Sequence, residues 1–194
     1  MLLDVGRWDM NKKFIVFGMA VVLIVIGLSG CEEKSSENGD NNESSFSSYE
    51  NTENGIGIEY PTTWNKYENP PEVPDVLVLF VSPSNEPTKT GTLTVSVLGN
   101  ISLTMNEFKE AHIENLSVLL PDFELVSEES TTLSDLPGYE VTFTFTNEMY
   151  TWRQLEVWTI SENILYLLVH QADQASYESF TADIEHMIAS FSII

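Results

Sequence analysis

Apolar and polar positions divide the chain into three textures. From Phe14 to Leu28 the side chains are apolar, interrupted only by Gly18 and Gly27. From Glu32 to Asn54 the residues are mostly Glu, Ser, Asn, Gly and Asp, with Phe46 and Tyr49 as the sole apolar side chains. From Gly55 onward, strand and helix periods alternate with turn residues.

Strand signals dominate the third part. Leu93, Val95 and Val97 alternate with Thr92, Thr94 and Ser96, and Tyr139, Val141, Phe143 and Phe145 alternate with Glu140, Thr142, Thr144 and Thr146. A period of two predicts strands with one covered face. Residues 76–81 and 164–169 are apolar throughout, which predicts strands covered on both faces. Ser161-Glu162-Asn163 reads as a three-residue hairpin loop with Asn163 at positive φ.

Two helices interrupt the strands. Thr104 and Glu107 have the spacing of a capping box, and Leu103 and Phe108 that of the hydrophobic staple. Phe108, Ile113, Leu116, Leu119 and Leu120 follow on one face, and Pro121 ends the run. A second helix is predicted from Ala175 to Phe191, with Tyr177, Phe180, Ile184, Met187, Ile188 and Phe191 at three- and four-residue steps. The expected fold class is α+β, an antiparallel sheet packed with helices, in one domain over residues 55–194.

The first texture sets an address. Arg7, Lys12 and Lys13 precede an apolar run of fifteen residues, shorter than the ~20 a membrane-spanning helix needs and suited to a signal peptide. Leu28-Ser29-Gly30-Cys31 has the form of a lipobox, with cleavage before Cys31 and lipid on that cysteine. Residues 1–30 therefore read as a lipoprotein signal peptide, with Met10 the favoured start because Asp4 and Asp9 are foreign to a signal's first segment. The alternative is an uncleaved anchor. Both place the remainder of the chain outside the cytoplasm, on the extracytoplasmic face of the cell membrane; in the lipoprotein reading lipidated Cys31 is what partners it with that membrane.

Residues 31–54 read as a disordered tether, too poor in apolar surface to offset its ordering entropy and spanning on the order of 25 Å as a flexible coil. Cys31 is the only cysteine, so no disulfide can form within the chain and the domain depends on its core. Removing residues 1–30 leaves 5 basic and 28 acidic side chains, a balance of −23. Such a field disfavours nucleic acid and favours cations or basic partners.

Candidate chemistry is sparse. His112 lies between Glu110 and Glu114 on the first helix, His170 ends an apolar strand, and His186 follows Glu185; none has metal-ligand spacing, and the surface reading of His112 is preferred. No zinc-protease, nucleophile-elbow, paired-cysteine or phosphate-loop motif is present. Trp64, Trp152 and Trp158 read as core residues, and Arg153, the only arginine after Cys31, as the partner of Glu156 or another acid. Asn42 and Asn100 begin glycosylation sequons; a third, at Asn115, falls within the first helix. No catalytic residue, metal ligand or cofactor is assigned.

The order of the motifs resembles a known family. Gly55-Ile56-Gly57-Ile58-Glu59-Tyr60-Pro61-Thr62-Thr63-Trp64 is similar to the opening strand and turn of PsbP-like domains. The apolar strand ending Phe80-Val81-Ser82-Pro83, the capped helix after Leu103, the turn at residues 131–139 and the closing Met187-Ile188-Ala189-Ser190-Phe191 are similar to PsbP-related lipoproteins of archaea. The resemblance implies a PsbP-like α/β/α sandwich and carries no functional residue across. The reading is a non-enzymatic accessory or interaction module with an unknown protein partner, docking by a sheet edge or by the loop from Ser82 to Thr90. The alternative is a lipoprotein that binds a small ligand or a divalent cation.

Overall fold

The computed structural model describes residues 45–194 apart from 85 and 148. Its strands are β1 (Phe46–Asn51), β2 (Ile56–Pro61), β3 (Asn65–Glu68), β4 (Val78–Val81), β5 (Thr92–Leu98), β6 (Glu124–Leu133), β7 (Leu136–Thr146), β8 (Thr151–Ser161), β9 (Ile164–Asp173) and β10 (Ser192–Ile193). Two helices, α1 (Met105–Leu119) and α2 (Thr181–Ser190), complete the α+β architecture. Seven strands form one antiparallel sheet in the order β3-β4-β5-β9-β8-β7-β6, and three form a second in the order β1-β2-β10.

The apolar runs explain the layering. In β9, Leu165, Leu167 and Val169 enter one core while Tyr166 and Leu168 enter another, so a strand without polar alternation is buried on both faces. In β4, Leu79 faces the first core, and Val78 and Phe80 face the second. Phe108 and Leu116 of α1 close the first core over Phe143, Trp152 and Trp158. Ile184 and Met187 of α2 close the second together with Tyr49, Ile56 and Ile58 of the small sheet. The expected sandwich is realised only in part, because a helix and a sheet share the second face.

Helix α1 begins as its sequence requires. Thr104 is the N-cap, its hydroxyl accepts from the Glu107 amide, and the Glu107 carboxylate accepts from the Thr104 amide. The second helix is shorter than the period predicts: residues 177–180 form a 3-10 turn and α2 follows from Thr181.

Three other expectations are corrected. Residues 46–51, expected within the tether, form β1, because every one of them pairs with β2 and Tyr49 is buried. Cross-strand main-chain bonds and one aromatic anchor order a segment whose own composition is polar. The β8–β9 connection has two residues, with Ser161 paired to Ile164 and both Glu162 (φ 51) and Asn163 (φ 64) in the left-handed region. That is the backbone of a type I′ turn, whose twist matches the flanking strands. Finally, β5 is not half-exposed: Thr92, Thr94 and Ser96 are buried as well as Leu93 and Val95.

Among the described residues no helix is long and apolar enough to cross a membrane. The apolar run 14–28, Cys31 and Asn42 lie outside the described residues.

Candidate functional site

Strand β7 supplies the clearest departure from a closed core. Its odd positions, Val141, Phe143 and Phe145, are buried under α1, while Glu140, Thr142 and Thr144 face the side carrying α2. Helix α2 covers β9 and Val157 but stops short of β6 and β7, and a groove of about 760 Å³ lies between them. Its floor is built by Ser127 (β6), Glu140 and Thr142 (β7), Arg153 and Leu155 (β8) and His170 (β9). Ile184, Glu185 and Ile188 of α2 form the wall. A volume in this range is typical of ligand-binding clefts.

Arg153 sits at one end. Its Nη1 donates to Glu178 at 2.7 Å and its guanidinium lies 4.4 Å from the Tyr177 ring centre, so the expected acidic partner is Glu178 and not Glu156. Beside it, His170 is buried, with Nδ1 donating to the Thr92 carbonyl at 2.8 Å. Burial pushes the imidazole down to about 4, with the nearby Arg153 charge acting the same way and the Thr92 bond against it. Nε2 of His170 has no partner. Burial also pushes the Tyr177 hydroxyl up to about 12.

The opposite end is acidic. Burial raises the Glu140 carboxyl above its ordinary value, and the charges of Glu129 and Glu185 raise it further. Glu129 stands directly across from Glu140 in the β6–β7 ladder.

His112 departs from the surface reading. Its Nε2 lies 2.5 Å from Oε2 of Glu156, a β8 carboxylate with 0% exposure, and Gln154 donates to the other oxygen at 2.7 Å. The ring also stacks on Phe108 at 5.2 Å. No spacing in the chain signals this pair, because its partners come from α1 and β8. His186 is stacked on Phe46 at 3.7 Å and joins Glu59 at 2.8 Å, tying α2 to the small sheet. Trp64, Trp152 and Trp158 are buried, as core residues should be.

The loop from Ser82 to Thr90 is pinned at both ends. Ser82 Oγ accepts from the Gly91 amide and Thr90 Oγ1 donates to the Glu86 carbonyl, with both residues buried. Asn100 is exposed at φ 64 after β5, whereas Asn115 is half-buried on α1. Among the described residues no group of three or more His, Cys, Asp or Glu is placed to hold a metal ion.

Known structures share the architecture. Cyanobacterial PsbP (CyanoP) from Synechocystis sp. PCC 6803 is similar at TM-score 0.60 and 15% identity, covering 82% of this chain and 98% of its own. LpqN, involved in cell envelope biogenesis of Mycobacterium tuberculosis, gives 0.56 and 14%, covering 71% and 82%. The Saccharomyces cerevisiae Ran-binding protein Mog1p gives 0.54 and 13%, covering 78% and 96%. Identities this low establish the shared fold and nothing further. No curated protein sequence matches the chain. The PsbP-like protein family model matches residues 15–193, nearly the full length, so the chain belongs to the PsbP-like protein family.

Proposed function

We propose that this protein is a non-enzymatic, extracytoplasmic binding module, tethered to the cell membrane through lipidated Cys31, that docks a partner protein in the groove beside α2. The groove carries this reading: it is the place where a face of the large sheet is left open beside polar side chains drawn from four strands and a helix. The fold occurs in a Ran-binding protein and in a protein involved in cell envelope biogenesis, which favours binding over chemistry. The lipobox at residues 28–31 supports the anchor, residues 1–30 being the signal peptide and the segment from Cys31 to β1 the tether. Asn42 and Asn100 are its proposed glycosylation sites, Asn100 being exposed.

Two experiments test the proposal. Mass spectrometry of the protein purified from membranes should find residues 1–30 removed and lipid on Cys31. Residues 1–30 retained with Cys31 free would remove the lipid anchor. Ala189 is exposed on the groove wall, so Ala189→Trp should occlude the groove without disturbing the core. A partner recovered from native membranes by the wild type should be lost with Ala189→Trp; equal recovery would exclude the groove as the docking site.

A further inference from the structure

Strand β6 is an open edge. It ends the large sheet, and among the described residues nothing pairs with its outer side. Residues 124–130 and Thr132 are exposed. The strand at the other end of the sheet, β3, has only four residues. A bulge between Leu125 and Ser127 interrupts β6, and from Ser127 to Leu133 its register with β7 is unbroken. Edges are ordinarily guarded by charges, prolines, bulges or shortness, because a row of free main-chain groups templates another strand. The stretch from Ser127 to Thr132 holds no proline and no basic residue, and its two glutamates guard it only against strands of their own sign. Leu125 and Val126, at the end of the same edge, are apolar side chains left 44% and 51% exposed.

The register fixes which main-chain groups of this edge are free. Ser134 (φ 52) and Asp135 (φ 60) make a two-residue hairpin loop, so Leu133 and Leu136 exchange both of their main-chain bonds. Antiparallel pairs alternate between bonded and non-bonded. Thr131–Gly138, Glu129–Glu140 and Ser127–Thr142 are therefore bonded, and Thr132–Pro137, Ser130–Tyr139 and Glu128–Val141 are not. Pro137, which has no N–H, falls on a non-bonded pair as the alternation requires. Glu128, Ser130 and Thr132 thus turn their N–H and C=O groups away from β7, toward the open side.

We propose that β6 receives an extended strand from a partner protein, paired through Glu128, Ser130 and Thr132, with a basic residue opposite Glu129. In strand addition the main-chain bonds supply affinity and the alternate side chains supply selectivity. The position opposite Glu129 is a non-bonded pair of the new ladder, where facing side chains come closest. Glu129 already faces Glu140 across β7, an unfavourable pairing of like charges, and a lysine or arginine beside it supplies the missing positive charge. Occupants of the same sign fit poorly. Residues 31–44 of this chain carry five acids and one lysine. A second copy paired antiparallel about Ser130 would bring its own Glu129 and Glu140 beside the first two, on a chain of net charge −22. Ser127 also lines the groove, so the added strand would run along the groove's rim, yet strand addition needs no occupant within the groove.

Amide hydrogen exchange on the full chain in detergent reads the alternation residue by residue. In the free protein the amides of Glu129 and Thr131 should be protected, and those of Glu128, Ser130 and Thr132 should exchange freely. A capped Thr-Lys-Thr-Lys-Thr-Lys-Thr peptide, whose lysines share one face of a strand, should slow exchange at those three by about tenfold or more. The same peptide N-methylated throughout keeps its charge but cannot pair, and should not slow them. Equal slowing by the two would show only the diffuse acidic field and overturn the proposal, as would no slowing, or equal slowing with glutamate in place of lysine. Ser130→Pro removes one outward N–H, a change that an edge strand tolerates, and should abolish the protection at a nearly unchanged melting temperature. Protection retained in Ser130→Pro would also overturn it; if that variant does not fold, the N-methylated peptide decides. Protection of the three amides in the free protein would mean that a second copy or the chain's own residues fill the edge, and the basic partner strand would fail. If a native partner is lost with Ala189→Trp but kept by Ser130→Pro, groove docking stands and strand addition fails; the reverse removes the groove and keeps the edge.

Discussion

His112 of α1 and Glu156 of β8, 44 residues apart, form an ion pair in the interior of the domain. An ionised carboxylate only accepts, so the imidazole donates from Nε2. Gln154 takes the second oxygen, and the carboxylate is withdrawn from water altogether.

Breaking this pair should be costly, and replacing it whole should not. His112→Ala leaves Glu156 buried without its partner and is expected to destabilise by about 3–5 kcal/mol in urea unfolding. His112→Leu with Glu156→Leu removes both charges and should recover most of that loss. If His112→Ala cost under ~1 kcal/mol, the pair would not hold α1 to the sheet.

Stability should fall on both sides of neutrality for two different histidines. Burial opposes the charge of His112, but the Glu156 charge and hydrogen bond outweigh it and raise its pKa above 6.5. Its contribution is therefore complete below pH 6.5 and lost as pH rises through the raised value. His170 is the reverse: the unfolded chain takes a proton near 6.5 and the folded one only at about 4. Its contribution is present above pH 6.5 and declines toward pH 4, by about 3 kcal/mol at most. Urea unfolding across this range should lose its alkaline decline in His112→Gln and part of its acid decline in His170→Gln. Unchanged slopes would contradict the assignment.

Gly138 should tolerate no side chain. A Cβ there would lie 2.6 Å from the Trp158 carbonyl oxygen, which belongs to the neighbouring strand and cannot rotate away. Gly138→Ala is expected to cost about 1–3 kcal/mol, read as a lower melting temperature.

The β8–β9 turn leaves room for improvement. Glu162 holds a left-handed conformation that asparagine and glycine adopt more readily. Glu162→Asn with Asn163→Gly, the preferred type I′ pair, should raise stability by about 1 kcal/mol in the same denaturation assay. A loss would mean that this turn is not the type I′ connection its angles describe.

Legibility followed the range of the interactions. The apolar runs of β4 and β9 and the capping box at Thr104 were readable because burial on two faces and a three-residue cap are local patterns. Strand β1 was not, since six mostly polar residues become a strand only when β2 is beside them. The alternation in β5 misled for a related reason: its buried hydroxyls, at Thr94 and Ser96, stand beside Val169 and Leu167 of β9, on the face of the first core. In the groove, Arg153 was visible as a lone cation, but its partner Glu178 lies 25 residues on and is delivered by the 3-10 turn after β9.

By itself the chain specified its family, its strand-rich character, the start of α1 and a strongly acidic balance, all properties of composition and short-range period. The tertiary structure alone decided which face of β7 stays open, which acids meet there and which histidines are buried. Those outcomes depend on bringing β6, β7, β8, β9 and α2 together, and no spacing within one segment encodes the distance between two.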